Sequence, residues 1–565
     1  MKYLKRLEQM LNAIAISFLS GASVIFPVRA AETIYFDYSV FGRSLSVSSL
    51  EAFAYDGTVD AELAPYLNVL SAESQQAFQQ ALNTPLSSLN SDIPEQVNDP
   101  FILSQLLYSP IGQSVLERFG QLIQTQGRQN GQHAIRAAII LAAADSNGLS
   151  LMNIIRQYPI DGVRLDLRRV LALYKAIDAN IETTEELVRI ATQQSEIAAS
   201  TDPPLDYRNL PVLAETGQFT ITTQSLTLVD NQRNRSYPVD LYQPNNLDAI
   251  EGPIPLMILS HGYGDSRTNS SAVAAAQNLA ANGFVVAAIE HIGSNTAYQD
   301  DLIRGLTQES FDAVEFINRP LDIQFLLDTL EQQNEAEFQG RLQLERVGII
   351  GHSFGGYTAL AAAGATIDID YLEDQCNLES EISPDNVNIA LLLQCRALEL
   401  AESPELIQQL TNGSLADDRI GLVFVLAPVS SLFGESGTTQ IQIPVVITGG
   451  ASDIATPVAR EQLVTFQRLT TSEKYLYLGE NLAHTPELTQ LALEVTNPSH
   501  EIGDDELDQA IELFSNLIVS LAIAHGRVYL LGDESYRPYL TSTYVEAISV
   551  EPFDLHLLRS SPDGF

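Results

Sequence analysis

The chain has 565 residues, of which 45% are hydrophobic, and its formal net charge at pH 7 is −41. This length exceeds that of one ordinary domain, so we expect two folded units with a sizeable core. Such an acidic protein repels phosphate backbones and anionic membrane surfaces, which argues against nucleic acid as a partner.

The N-terminal end of the chain has the organisation of an export signal. Basic residues at positions 2, 5 and 6 precede an apolar run from Leu11 to Pro27, and Val28-Arg29-Ala30 offers small residues for cleavage. We therefore predict a signal peptide over residues 1–30 and a periplasmic or extracellular protein. The alternative is a retained membrane anchor, but a run of about 17 interrupted residues barely spans a bilayer. We expect no stable membrane insertion of the mature chain.

Residues 31–205 are predicted to form an all-helical N-terminal domain. Apolar residues recur three and four positions apart in four segments, which are residues 101–122, 134–144, 163–179 and 185–199. The segment from Ser200 to Pro204 then breaks this pattern, and β-rich runs begin at Gly217. A domain boundary is therefore expected between residues 200 and 216.

Residues 216–530 have the pattern of an α/β domain. Eight candidate strands alternate with helices, and they are Phe219–Leu228, Tyr237–Tyr242, Ile254–Ser260, Phe284–Glu290, Arg346–Gly351, Gly421–Leu426, Pro444–Thr448 and Lys474–Leu478. Short apolar strands joined through helices predict a mostly parallel sheet that is covered on both faces. Two antiparallel strands leading into such a sheet match the α/β-hydrolase plan. We expect residues 531–565 to be a C-terminal tail.

One connection in this domain is too long for a simple loop. It spans residues 367–420, and insertions of that length usually cover a site or are themselves mobile, so we predict a lid. The alternative is a long surface loop that plays no part at the site. The segment carries both cysteines of the chain, Cys376 and Cys395. In an exported protein they are expected to form a disulfide, although two buried free thiols are a second possibility.

The sequence Gly351-His352-Ser353-Phe354-Gly355 follows an apolar strand and precedes a helix of small residues. This is the context of a nucleophile elbow, in which flanking glycines relieve crowding and the serine hydroxyl is exposed at the edge of the sheet. A turn serine in a tight packing contact is the alternative. The flanking pattern favours a serine hydrolase with Ser353 as its nucleophile.

A serine nucleophile needs a base within hydrogen-bond reach and a carboxylate that orients this base. In the α/β-hydrolase plan both follow the nucleophile, which leaves His484, His500, His525 and His556. His484 lies just past the last predicted strand, so we predict that it is the base. His525 ends an amphipathic helix, where a cap or a core contact explains it better. Asp453 follows the strand that ends near Gly450, and we predict that it is the acid.

The oxyanion of the reaction needs backbone donors, one after the nucleophile and one in the loop after the third strand. These are predicted to be the N–H groups of Phe354 and Tyr263. Tyr263 lies in the segment Ser260–Gly264, which we call the oxyanion loop. His261 in this loop precedes the nucleophile and is expected to brace the loop. No metal and no organic cofactor is required.

Several motifs resemble the platelet-activating-factor acetylhydrolase group of the α/β-hydrolases. The resemblance rests on the oxyanion loop with Arg267-Thr268, on Gly283–His291 and on Gly351–Gly356, and it covers roughly residues 217–530. Arg319-Pro320-Leu321-Asp322 is similar to bacterial members and to dienelactone-hydrolase-like relatives. The resemblance implies an ester hydrolase that favours short sn-2 acyl groups on phospholipids. The helical region resembles a domain of unknown function that precedes such hydrolases in exported proteins of cyanobacterial type.

The chain departs from this group at the position of the acid. Animal acetylhydrolases of the group place it soon after the sixth strand, where this chain has Ala427-Pro428. We therefore expect a secreted serine ester hydrolase that uses Asp453 and takes a small-molecule or lipid ester. A broad-specificity esterase or polyester hydrolase is the enzymatic alternative. A partner-binding protein with an idle hydrolase unit is the alternative of another class, and the protein partner of the N-terminal domain is unknown.

Overall fold

The computed structural model describes residues 31–38, 41–85, 98–203, 205–378, 380–485, 488–489, 492–493, 503–549 and 553–561. The predicted signal peptide and His500 lie outside these residues. The helices, numbered in chain order, are α1 (Val47–Asp56), α2 (Ala64–Leu67), α3 (Ala72–Asn83), α4 (Pro100–Tyr108), α5 (Pro110–Leu122), α6 (Gln132–Ala144), α7 (Leu151–Arg156), α8 (Leu167–Ala199), α9 (Ser270–Ala281), α10 (Thr296–Ile303), α11 (Glu315–Phe338), α12 (Phe354–Ala362), α13 (Ile369–Cys376), α14 (Leu391–Gln394), α15 (Pro404–Thr411), α16 (Gly434–Thr438), α17 (Gln462–Arg468), α18 (Asp504–Leu531) and α19 (Ser542–Ile548).

The strands of the described residues form two sheets. Their bounds are β1 (Thr33–Tyr38), β2 (Phe41–Ser46), β3 (Ile123–Thr125), β4 (Gly162–Asp166), β5 (Ile221–Asp230), β6 (Arg235–Pro244), β7 (Ile254–Ser260), β8 (Val285–Ile289), β9 (Leu342–His352), β10 (Ile420–Leu426), β11 (Val445–Gly450), β12 (Lys474–Gly479) and β13 (Leu555–Leu558). The first sheet has the order β2-β1-β4-β3, and the second has the order β13-β12-β11-β10-β9-β7-β8-β6-β5.

The N-terminal region is not all-helical, because it contains the four strands of the first sheet as well as helices. Strands β1 and β4 pair in parallel, with Thr33 opposite Gly162, so the helix predicted from residue 163 begins only at Leu167. The predicted helix over residues 101–122 is divided at Pro110, and the Ser109 hydroxyl caps its second half by accepting from the Gly112 N–H. Strands of three to six residues are too short to stand out against helical periodicity.

The second sheet has the predicted α/β-hydrolase architecture, and all eight predicted strands are present. Strands β7 to β12 pair in parallel, while β5, β6 and β13 pair antiparallel with their neighbours. Successive side chains of β7 alternate between two hydrophobic clusters, with Ile258 in one and Met257 in the other. Both faces of the sheet are therefore covered.

The segment after residue 530 is not a tail. Helix α19 follows α18, and β13 then joins the edge of the second sheet beside β12, with His556 opposite Leu478. A four-residue strand that carries a histidine gives almost no periodic signal. Within the described residues, Phe514–Leu531 of α18 passes the length and composition test for a membrane span, and 67% of it is buried inside the protein.

The segment over residues 367–420, here called the insertion, contains α13, α14 and α15. A disulfide joins Cys376 to Cys395 with their Cα atoms 5.8 Å apart, so the predicted pairing is confirmed and the free-thiol alternative is wrong. Helix α8 of the N-terminal region packs onto the hydrolase core through the fully buried Leu187 and Ala191. The N-terminal helices, the insertion and the second sheet therefore contact one another.

Candidate active site

Ser353 occupies the turn between β9 and α12, as the elbow motif predicts. Its backbone has a φ of 53° and a ψ of −115°, a strained conformation for a residue other than glycine. A Cβ atom at Gly351 would overlap the Gly355 carbonyl oxygen, and one at Gly355 would overlap the Ser260 carbonyl oxygen. Only glycine fits at these two positions, so the elbow sequence is a steric requirement of this turn.

Asp453 and His484 lie together at the carboxyl edge of the sheet. They follow β11 and β12, which are paired neighbours, and His484 Nδ1 lies 2.9 Å from Asp453 Oδ2. The N–H groups of Ala455 and Thr456 donate to Asp453 Oδ1 over 2.9 and 2.8 Å, and the Thr456 hydroxyl donates to Oδ2 over 2.7 Å. The carboxylate is fully buried and held in one orientation toward the imidazole.

Ser353, the third predicted member of the triad, directly follows His352, and His352 contacts His484. The His352 ring lies 4.9 Å from the His484 ring, and His352 Nε2 lies 3.2 Å from the His484 carbonyl oxygen. Within the described residues, the hydrogen bonds of His484 go to Asp453, Thr456 and His352, and none goes to the Ser353 hydroxyl. In unliganded hydrolases this bond is often long and tightens only when substrate is bound.

Burial lowers the pKa of His352 to about 4, so its ring is neutral at pH 7. A neutral ring can donate its Nε2–H to the His484 carbonyl oxygen. The sequence does not predict this contact of His352 with the backbone of the predicted base.

The oxyanion loop approaches the elbow closely. A Cβ atom at Gly262 would lie 3.3 Å from the Ser353 Cβ and 3.2 Å from His352 Nδ1. Phe354 is the first residue of α12, where the N–H groups have no partner within the helix. Both predicted oxyanion donors, Tyr263 and Phe354, therefore belong to segments that flank the Ser353 side chain.

Arg319 of α11 holds the oxyanion loop from the core. Its side chain is fully buried, and Nη1 donates to the His261 carbonyl oxygen over 2.7 Å while Nη2 donates to the Gly262 carbonyl oxygen over 3.3 Å. The Ser294 hydroxyl accepts from the same guanidinium group at 2.9 and 2.7 Å. Burial lowers the pKa of Arg319 to about 9, which still leaves it charged at neutral pH. The sequence motif around Arg319 indicates only a family resemblance, and this role cannot be predicted from it.

Three other histidines have structural contacts, and they are His261, His525 and His556. His261 Nδ1 lies 2.8 Å from the Gly262 carbonyl oxygen, and its Nε2 accepts from the His291 N–H over 2.9 Å, so it braces the loop as predicted. His525 is buried with Nε2 3.0 Å from the Tyr477 hydroxyl, a core contact within α18 and not a cap, because the helix continues to Leu531. His556 pairs with Glu480 over 2.7 Å.

Two family models match parts of the chain. The model described as "Alpha/beta hydrolase of unknown function (DUF1400)" matches residues 30–166, and the model described as "Platelet-activating factor acetylhydrolase, isoform II" matches residues 217–309. No curated protein matches the chain. The second match contains the oxyanion loop, while Ser353, Asp453 and His484 lie beyond both matched segments.

The resemblance predicted from the sequence motifs is confirmed by these matches. The family that matches the N-terminal region is itself described as one of α/β-hydrolases, and the second sheet has the strand order and pairing of that fold. The matches support hydrolysis of the esterase type. The chain therefore contains a domain of the α/β-hydrolase fold, whose residues 217–309 are similar to isoform II of platelet-activating factor acetylhydrolase.

Proposed function

We propose that this protein is an exported serine carboxylic ester hydrolase that acts through an acyl-enzyme on short-chain or phospholipid-type esters. Ser353 attacks the ester carbonyl while His484 accepts the hydroxyl proton and then returns it to the leaving alcohol. The N–H groups of Tyr263 and Phe354 stabilise the tetrahedral oxyanion. Water hydrolyses the acyl-enzyme in a second step, with His484 again as the base.

The hydrogen bond of 2.9 Å between Asp453 and His484, beside the strained turn at Ser353, is the observation that carries this proposal. A buried carboxylate on Nδ1 selects the tautomer whose Nε2 is free to accept a proton. It also stabilises the imidazolium that forms during the reaction. An idle hydrolase unit would have no need of this arrangement.

The substrate class is supported by the match over residues 217–309 and by the charge of the chain. A protein with a formal charge of −41 should prefer neutral or zwitterionic substrates to anionic ones. An ester with a choline head group meets this condition. The disulfide between Cys376 and Cys395 supports an oxidising compartment outside the cytoplasm.

The test is the hydrolysis of nitrophenyl acetate by Ser353→Ala. We expect this variant to lose turnover while its circular dichroism and unfolding midpoint stay those of the wild type. A fluorophosphonate should label the wild type at Ser353 and leave the variant unlabelled. Ser436→Ala, which changes an exposed serine on α16, is the matched control and should retain full activity. Retained turnover in Ser353→Ala would overturn the proposal.

A further inference from the structure

A cavity of about 620 Å³ lies between the N-terminal region, the insertion and the loops that follow β11 and β12. Its lining is mostly apolar. Helices α5 and α8 contribute Phe119, Ile177 and Ile181, and the insertion contributes Ile389 and Leu392. Concave apolar spaces of this size are typical of sites for small organic ligands.

The wall from the N-terminal region is tied to the other walls by hydrogen bonds. Asn180 of α8 donates from Nδ2 to the carbonyl oxygens of Pro384 and Val387, both over 3.1 Å. Arg460 donates from Nε to Asn180 Oδ1 over 2.7 Å. Hydrogen bonds therefore join the three parts of the chain that enclose the cavity.

Most polar groups in the lining already form hydrogen bonds within the protein. Asn388 donates to Glu461 over 2.5 Å, Asp453 is held by its neighbours, and Asn180 is occupied as described. Arg118 is the exception, because its Nε has no hydrogen-bond partner among the described residues. By contrast, the apolar side chain of Ile389 is 52% exposed. The lining therefore offers mainly apolar surface to a ligand.

The cavity borders the candidate active site along one wall. Residues Ala451 to Ile454 and Glu480-Asn481 line it, and these two loops carry Asp453 and lead into His484. Ser353 itself is not in the lining. The space is therefore suited to a part of the substrate that is remote from the reacting carbonyl.

We propose that this cavity binds the long hydrocarbon chain of an ester substrate, and that α5 and α8 of the N-terminal region serve as two of its walls. The identity of the ligand rests on the proposed ester hydrolase function. The proposal gives the N-terminal region a role in selecting substrate by chain length. Hydrolysis of acetyl esters does not need the cavity.

The kinetic test narrows the cavity with Ile181→Trp and compares nitrophenyl acetate with nitrophenyl dodecanoate. We expect kcat/KM for the dodecanoate to fall about ten-fold or more, because a blocked apolar site loses the contribution of several methylene groups. The kcat/KM for the acetate should be unchanged. Ile197→Trp, at an exposed position of the same helix and outside the lining, is the matched control and should retain both activities. Equal losses on both esters, or no loss on either, would overturn the proposal.

The binding test does not depend on catalysis. The chain contains no tryptophan, so Phe119→Trp places a single fluorophore in the cavity wall. Dodecanol should change its fluorescence with saturation and leave that of Phe101→Trp, at a half-exposed position outside the lining, unchanged. If no ester is hydrolysed but dodecanol still binds, the proposed function fails and the apolar site stands. If esters are hydrolysed but dodecanol gives no response, the proposal of a chain-binding cavity is wrong and the proposed function stands.

Discussion

Arg319 donates to the carbonyl oxygen of Gly262 from the core, over 3.3 Å. That carbonyl shares a trans peptide with the N–H of Tyr263, and the two groups of such a peptide point in opposite directions. By holding the oxygen, Arg319 directs the N–H away from itself. This is the N–H that we propose as an oxyanion donor, so Arg319 is a positioning residue that acts through the oxyanion loop.

Arg319→Lys should lower kcat about ten- to hundred-fold and leave KM nearly unchanged, because a misplaced oxyanion donor affects the transition state more than the bound substrate. Lysine keeps the charge but cannot reach two carbonyl oxygens with a planar fork. Affinity for a trifluoromethyl ketone, which forms an oxyanion on Ser353, should fall in parallel with kcat. A loss of thermal stability with unchanged kcat in the folded protein would contradict this prediction.

Arg341 offers a matched control for that experiment. It also holds a loop by backbone carbonyl oxygens, with Nη1 donating to Leu247 over 3.0 Å and Nε donating to Gly252 over 3.2 Å, but this loop lies at the opposite edge of the sheet. Arg341→Lys should reduce stability without changing kcat or the affinity for the ketone.

Asp453 and His484 could be predicted from sequence because each follows an apolar strand, and adjacent parallel strands bring their carboxyl ends to one edge. The role of Arg319 could not, because a helix that starts at residue 315 must fold back under the loop at residues 260–264 before the contact exists. Strand β13 could not be predicted for a similar reason. Its four residues acquire a strand conformation only because they pair with β12.

Asp453→Asn should lower kcat about 10⁴-fold, because an amide holds the wrong tautomer of His484 while it keeps the geometry. Steady-state hydrolysis of nitrophenyl acetate measures the effect. Asp417→Asn, which changes a carboxylate paired with Arg419, is the control and should retain wild-type kcat. Wild-type turnover in Asp453→Asn would show that another group orients the base.

The disulfide should stabilise the insertion. The double variant Cys376→Ser, Cys395→Ser removes a cross-link between residues 19 positions apart in the sequence. This should lower the free energy of unfolding by about 3 kcal/mol. Urea unfolding monitored by tyrosine fluorescence measures this loss. Reductant should lower the unfolding midpoint of the wild type and leave that of the double variant unchanged. Alkylation of the native wild type without reductant would contradict the prediction.

Acid should destabilise the fold between pH 6.5 and 4 through its buried neutral histidines. Burial lowers the pKa of His352 to about 4 and those of His261, His291 and His525 well below their usual range. The unfolded state therefore binds protons first as the pH falls, and the free energy of unfolding decreases, by about 3 kcal/mol for His352 alone. Urea unfolding at pH 7, 6 and 5 measures this slope. His525→Phe should make the dependence of the free energy of unfolding on pH shallower. Replacement of the exposed His133 by Gln is the control and should leave this dependence unchanged. An unchanged slope in His525→Phe would contradict the assignment to buried histidines.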